Sequence, residues 1–246
     1  MARTSPGGKP SRVYRSAQRT AQAQHTRGRI VAAATEQFAS LGYAATTVRS
    51  VAAAAGVSVA SIELAFGTKA QLLKTAIDVA ISGDHDPVAV LDRDWATAAK
   101  ATATVHEFLT AIGRTLRPAM ARSAGLVLAA YAAAGTDPAL RELAERLSTQ
   151  RAATVAWIID GITDRAALRE GVTRRDAIDQ VWLLMDPAVY HRLTRYRGWS
   201  PARYEKWFTD TTIRLLLGLP REHPGRPVPG VGRTQPDCAG RPDLRG

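Results

Sequence analysis

The sequence predicts an all-α fold, with an N-terminal three-helix domain followed by a larger helical domain and about nine or ten helices in all. Three observations predict it. Apolar residues recur at helical spacing between residues 26 and 219, without a convincing strand pattern. Glycines and small capping residues divide these apolar stripes into segments. The 246-residue chain is 46% hydrophobic, which supplies a sizeable core.

The N-terminal domain begins with a helix whose apolar stripe ends at Gly42. Thr46 or Thr47 can cap a short second helix, because a threonine hydroxyl accepts a hydrogen bond from a free backbone N–H at a helix start. Gly56 closes this second helix, and Ser58 caps a third. The stripe of the first helix follows the spacing i, i+4, i+8 and i+11: Ile30, Ala34, Phe38 and Leu41.

We place the N-terminal domain at residues 26–73 and the larger domain at residues 74–219. The flanking segments, residues 1–25 and 220–246, lack apolar periodicity and are expected to be disordered. Thr68 caps the helix that joins the two domains. Capping residues followed by proline, which is favoured at the first helical position, divide the larger domain into helices. The pairs are Asp86-Pro87, Asp137-Pro138, Asp186-Pro187 and Ser200-Pro201.

Positive charge is concentrated near the N-terminus. Residues 1–84 contain ten basic and four acidic residues, and no acidic residue precedes Glu36. Residues 85–219 are nearly balanced, with 18 basic and 15 acidic residues. The distribution favours contact between the N-terminal third and a polyanion such as nucleic acid. A solvated basic tail is the alternative.

Composition and motifs argue against several classes of protein. The sequence contains no run of about 18 apolar residues, the length that could span a membrane. The basic N-terminus lacks the apolar stretch of a secretory signal, so we expect a cytoplasmic protein. The single cysteine, Cys238, excludes an internal disulfide. Common phosphate-loop, dinucleotide, zinc-protease and hydrolase motifs are absent, so we expect no enzyme and no cofactor. Asp84, His85 and Asp86 are interpreted as a loop and not as metal ligands.

A short helix, a tight turn at Gly56 and a second short helix have the spacing of a helix-turn-helix, in which the second helix enters the DNA major groove. The 48 residues 26–73 resemble the DNA-binding domain of the TetR family of bacterial transcriptional repressors. Three motifs carry the resemblance: F-x-x-x-G-Y-x-x-T-T-V, A-x-x-A-G-V-S and F-G-T-K-x-x-L-L. Residues 182–217 resemble, more weakly, the end of the ligand-binding domain in actinobacterial members.

The resemblance implies a ligand-responsive transcriptional regulator, a repressor, that binds a palindromic double-stranded DNA operator as a homodimer. The two reading helices would lie about 34–36 Å apart, one turn of duplex. A small, apolar effector would release the operator, and residues 176–196 and 200–217 would form the dimer interface. The alternative is a helical ligand-binding or interaction protein that keeps the fold and has lost sequence-specific DNA binding.

The predicted DNA contacts lie on the second and third helices and at the start of the fourth. Thr47 and its helix N-terminus suit a phosphate, and Arg49 suits a phosphate or guanine. Lys69 is expected to contact phosphate, assisted by Thr68. The small residues that open the third helix allow close approach to the bases. With Arg27, which follows the basic arm of residues 1–25, the predicted DNA-binding residues are Arg27, Thr47, Arg49, Ser58, Val59, Ala60, Ser61, Glu63, Leu64, Thr68 and Lys69.

Glu63 departs from the family pattern, in which a tyrosine at this position donates a hydrogen bond to phosphate. A carboxylate repels phosphates but can accept a hydrogen bond from the N4 amino group of cytosine. Three alternatives stay open: Glu63 reads a cytosine, it pairs with a nearby arginine, or it points away from the groove while the basic arm offsets the lost tyrosine.

Effector contacts are predicted among the aromatic and polar residues of the central helices, because ligand pockets between helices are mainly apolar with a few polar anchors. At helical spacing such residues are also typical of an ordinary core, and that alternative stays open. The candidates are Trp95, His106, Phe108, Tyr131, Trp157, Trp182, Met185 and Tyr190.

Overall fold

The computed structural model describes residues 12–84, 86 and 88–218, and the regular elements in this part of the chain are helical, which confirms the all-α prediction. A 3₁₀ turn spans Val90–Asp92, and a π-helical turn spans Arg192–Tyr196. The ten α-helices of these residues are α1 (Arg12–Ala45), α2 (Val48–Ala55), α3 (Val59–Phe66), α4 (Lys69–Ser82), α5 (Asp94–Lys100), α6 (Val105–Ala133), α7 (Pro138–Thr163), α8 (Arg174–Leu184), α9 (Pro187–His191) and α10 (Pro201–Leu217).

Helix α1 begins at Arg12, inside the segment that we expected to be disordered. Residues 12–25 are rich in arginine, glutamine and alanine, which have high helix propensity, so they continue the register of the helix that follows. Gly42 ends the regular helix as predicted, with φ 78° and ψ 175°. Leu41 does not join the apolar stripe, since it is 57% exposed. The expected disorder of residues 1–11 and 220–246 concerns residues outside the described part of the chain.

The predicted helix starts follow from local capping. Thr47, Ser58 and Thr68 each accept a hydrogen bond from the backbone N–H three residues ahead, and Thr47 is the cap of α2 while Thr46 is buried. The Asp137, Asp186 and Ser200 pairs begin α7, α9 and α10.

The Asp86-Pro87 pair does not start a helix at Asp86, and α5 begins only at Asp94. The loop before α5 closes on an ion pair instead. The Arg93 guanidinium donates to both carboxylate oxygens of Asp84, at 2.6 and 2.9 Å, and to the carbonyl of Asp86 at 3.2 Å. This pairing raises the pKa of Arg93.

Two apolar clusters hold the described helices together. The first joins α1 to α4 with the C-terminal part of α6 and the N-terminal part of α7, and its fully buried members include Phe38, Leu72 and Leu126. The second lies among α5 to α10 and includes Phe108 and Tyr204. The domain boundary that we expected at residue 73 falls inside α4, which packs against both α1 and α6. The first three helices therefore share a core with the larger domain.

No single described helix is long and apolar enough to cross a bilayer, and α2 and α3 reach the required hydropathy only as a sharply bent pair.

Candidate nucleic-acid interface

Helices α2 and α3 form a helix-turn-helix. Their axes are bent by 106° from one another, within the range of this motif. The turn depends on Gly56, which has φ 62°, a left-handed conformation that glycine adopts without steric cost. The Arg29 guanidinium donates to the carbonyls of Ala55 and Gly56 at the end of α2. A Cβ at residue 56 would lie 2.8 Å from that guanidinium, so a larger residue there would require Arg29 to shift.

Helix α3 has one buried and one exposed face. Ile62 and Phe66 lie four residues apart and are buried, so they pack in the first core as expected. The opposite face presents Ala60, Glu63 and Leu64 to solvent, and Leu64 is 91% exposed. The outer face of α3 is therefore open to solvent.

The predicted phosphate contacts around α2 are free to form. Thr47 is exposed at the N-terminus of α2, where its hydroxyl and the Ser50 hydroxyl form a reciprocal capping box. Arg49, in the first turn of α2, is exposed, and its side chain has no hydrogen bond or ion pair with another described residue. The Oγ atoms of Ser58 and Ser61 lie 2.8 Å apart at the start of α3.

Lys69 and Arg27 occupy positions that sequence reasoning did not anticipate. The Lys69 ammonium donates to the carbonyls of Tyr43 and Thr46, at 2.9 and 3.0 Å, and lies 4.0 Å from the centroid of the Tyr43 ring. The Arg27 guanidinium donates to the carbonyl of Ala65 at 2.9 Å and stacks on the ring of Phe66. Each cation therefore holds a segment next to the reading surface in place.

Glu63 forms no ion pair within the described residues, so the pairing with a nearby arginine that we considered is not observed there. The basic helix α1 approaches the other flank of α3. A groove of about 360 Å³ separates α1 from the side of α3 that carries Ser61 and Ala65, and Thr26 and Arg27 line it. Glu63 lies two residues from both Ser61 and Ala65, which places it on the flank of the helix away from this groove.

Tyr43 joins this surface to the larger domain, a role that sequence reasoning missed. Its hydroxyl donates to Oδ2 of Asp137 at 3.1 Å, while Oδ1 of Asp137 caps α7 through the N–H of Ala139. Burial and the hydrogen bond to the Asp137 carboxylate raise the pKa of Tyr43 to about 12. The tyrosine is part of the quoted motif, but its partner is 94 residues away and gave no signal.

Six of the eight effector candidates lie in or beside the second core, whereas Tyr131 packs against the first core and His106 belongs to neither. The indole of Trp157 contacts Trp95 and Phe108, with ring centroids 5.8 and 5.6 Å away. Phe108 is fully buried against Gly161, where a Cβ would come within 2.3 Å of its ring. This packing favours the core interpretation for Phe108. His106 is exposed, Met185 and Tyr190 are buried, and burial raises the pKa of Tyr131.

Trp182 belongs to a polar contact that was not predicted. The Arg151 guanidinium lies 3.9 Å from the centroid of the Trp182 ring and 3.0 Å from Oδ2 of Asp186. The two charged side chains are only 10% and 18% exposed. The contact ties α7 to the junction of α8 and α9. No group of three or more potential metal ligands is found in the part of the chain that the structure describes.

The fold and the exposed α3 thus define a helix-turn-helix protein with a larger helical domain. Residues 30–76 match the family model described as bacterial regulatory proteins of the tetR family. The match covers the three N-terminal helices from Ile30 onward and half of α4. The chain has the fold of TetR-family regulators, and the actinobacterial type stays a prediction.

Solved structures share this fold at low sequence identity. A proposed transcriptional regulator from Saccharomonospora viridis, in complex with choline, aligns with a TM-score of 0.60 and 18% identity over 78% of this chain and 98% of that chain. The regulator FadR from Bacillus subtilis, in complex with stearoyl-CoA, aligns with a TM-score of 0.59 and 19% identity over 78% and 98% of the two chains. No curated protein matches the chain in sequence.

Proposed function

We propose that this chain is a transcriptional regulator, a repressor, that binds a palindromic DNA operator as a homodimer and is released by a small effector. The observation that carries the proposal is the solvent-exposed outer face of α3 within a helix-turn-helix of the expected angle. In this arrangement α3 enters the major groove, and α2 crosses the phosphate backbone. We infer no catalytic role and a cytoplasmic location.

The phosphate contacts are proposed for Thr47, Arg49 and the basic N-terminal arm. Exposed Arg49 has no competing partner among the described residues, so binding DNA costs it no existing ion pair. Arg19 of the arm lines the groove beside α3, which places its charge next to the reading helix. Lys69 and Arg27 act indirectly, because they fix the start of α2 and the end of α3.

The dimer contact is proposed for the surface of α8 to α10. Two large apolar side chains, Leu183 and Tyr196, are 57% and 76% exposed there, and contact with a second copy would remove them from water. An effector that binds among α5 to α10 would shift the spacing of the two reading helices only by its different affinity for the two dimer states. The choline and stearoyl-CoA complexes of proteins with this fold support a small-molecule site in the larger domain.

The connection between effector site and reading helix is proposed to run through α4. The Arg122 Nε on α6 donates to the carbonyl of Ala80 near the end of α4 at 2.8 Å. A Cβ at Gly83 would lie 3.0 Å from the Arg122 guanidinium, so this end of α4 is closely packed against α6. A displacement of α6 therefore moves α4 and, through the shared first core, the helix-turn-helix.

The competing function is an interaction protein that keeps the fold without sequence-specific DNA binding. The exposed carboxylate of Glu63 and the engaged cations Lys69 and Arg27 favour it. Selection from a randomised duplex pool separates the two. A regulator retains a palindrome with half-sites about one helical turn apart, whereas the alternative yields only weak binding without sequence preference.

Variants of two exposed arginines test the docking. Arg49→Ala is expected to reduce the dependence of log K on log salt concentration by about 0.9, the contribution of one phosphate contact. Arg114→Ala removes the same charge from an exposed position on α6 and should leave the slope unchanged. Equal slopes for wild type and Arg49→Ala would contradict the proposed orientation on DNA.

A further inference from the structure

The outer face of α3 is unusual for a DNA-reading surface because no basic or amide side chain occurs between Val59 and Phe66. Glu63 is the only charged residue of the helix. The two hydroxyl groups at its start contact each other, since Ser58 Oγ accepts from the Ser61 N–H at 3.1 Å and lies 2.8 Å from Ser61 Oγ, which leaves one O–H free to donate. Beyond these two serines, the face offers apolar groups and one carboxylate acceptor.

Base edges in the major groove differ in what they require. Guanine presents only acceptors, N7 and O6, and needs a donor, while adenine adds an N6 amino donor to its N7 acceptor, so a carboxylate alone leaves N7 of adenine unsatisfied. Cytosine presents the N4 amino donor, which suits a carboxylate, and thymine presents a C5-methyl group, which suits an apolar side chain. The chemistry of Ala60, Glu63 and Leu64 consequently fits pyrimidines and supplies no donor for the acceptors of the purines.

The geometry of α3 places its apolar groups where they can reach adjacent bases. Leu64 is 91% exposed at the centre of the outer face, and Ala60 precedes it by one turn on the same stripe. Residues four apart on a helix have Cβ atoms about 5–6 Å apart, while bases along one strand are separated by about 3.4 Å. The two side chains thus span one or two base steps, with Glu63 beside them.

We propose that Leu64 and Ala60 read the C5-methyl groups of pyrimidines in the operator, and that Glu63 accepts a hydrogen bond from the N4 amino group of a neighbouring cytosine. The proposal rests on the proposed function and adds the base chemistry of the half-site. Burying a methyl group against Leu64 removes two apolar surfaces from water. Each such contact contributes about fourfold to the affinity.

The first experiment uses the full chain and the palindrome retained from a randomised duplex pool. Each thymine of the half-site is replaced in turn by deoxyuridine, which lacks only the C5-methyl group. Each cytosine is replaced in turn by 5-methylcytosine, which gains one. Loss of about fourfold in affinity at one or two thymines assigns thymine as the source of the methyl group, and a comparable gain at a cytosine assigns 5-methylcytosine.

Variants connect the methyl dependence to the named side chains. Leu64→Ala should bind the operator more weakly and lose its discrimination between thymine and uracil at the same positions. Leu41→Ala is the matched control, because Leu41 is 57% exposed at the end of α1 and lies outside α3. Glu63→Gln should lose its preference for cytosine and favour adenine, which glutamine binds in a bidentate manner.

Two results would overturn the inference and remain distinguishable from failure of the proposed function. Wild type that retains a palindrome but neither loses affinity with uracil nor gains affinity with 5-methylcytosine would refute methyl reading alone. Leu64→Ala that keeps the full thymine preference would refute the assignment to Leu64. If no palindrome is retained at any salt concentration, the proposed function itself fails, and the inference fails with it.

Discussion

Replacing Lys69 with methionine is expected to destabilise the fold and to leave the salt dependence of DNA binding unchanged. Methionine keeps the length of the side chain and removes the ammonium group. The sequence assigns Lys69 to a phosphate contact, whereas the structure gives the ammonium two backbone carbonyls and the Tyr43 ring as partners. The substitution therefore separates a positioning role from direct DNA contact.

The magnitude follows from these contacts. A hydrogen bond from a charged donor contributes about 1.5–3 kcal/mol, and a cation–π contact at a partly exposed site about 0.5–1 kcal/mol. Because one ammonium group makes all of the contacts, their contributions are not additive. We expect Lys69→Met to lower the free energy of unfolding by about 2–3 kcal/mol.

Urea unfolding and salt-dependent DNA binding are the two assays. Lys74→Met is the matched control on the same helix, since Lys74 forms only an exposed pair with Asp78 and should cost less than about 0.5 kcal/mol. A phosphate contact would contribute about 0.9 to the salt slope. An unfolding free energy equal to that of wild type, together with a slope reduced by this amount, would refute the positioning role.

Three further predictions concern packing, pH and the basic arm. Gly161→Ala should lower the free energy of unfolding by about 1–3 kcal/mol, because the new Cβ would overlap the Phe108 ring; Gly135→Ala, with no neighbour within 4 Å of its Cβ, is the control, and equal stabilities would contradict the packing. Since the pKa of folded Tyr43 is about 12, against 10.0 for the free side chain, its contribution is present below pH 10 and is lost as pH rises towards 12. Across this pH range the free energy of unfolding should fall more steeply for wild type than for Tyr43→Phe. Parallel curves of unfolding free energy against pH would contradict the assignment. Deleting residues 1–25 should reduce the salt slope of DNA binding, and an unchanged slope would show that the arm does not contact phosphate.

The helix boundaries were predictable wherever they depend on residues close in sequence. Thr47, Ser58 and Thr68 cap their helices through N–H groups three residues ahead, so the signal lies within one turn. The Asp86-Pro87 pair has the same local signal but does not begin a helix at Asp86. There the bidentate contact between Arg93 and Asp84 stabilises a loop instead.

The partners of the cations were not predictable from sequence patterns. Lys69 bonds carbonyls 23 and 26 residues earlier in the chain, and Arg27 bonds a carbonyl 38 residues later. Backbone carbonyls carry no sequence signature, so the charge alone indicated DNA contact. In contrast, the buried positions of Ile62 and Phe66 follow from their spacing, and the same helical geometry predicts that Leu64 faces outward.

The most direct test of the account is the binding of the purified full chain to a randomised pool of duplex DNA, followed by sequencing of the retained DNA at several salt concentrations. The account predicts a palindrome whose half-sites are about one helical turn apart, each half-site being rich in pyrimidines on one strand. Retention of DNA without sequence preference, lost uniformly as salt increases, would contradict it and would leave the basic arm as the sole source of binding.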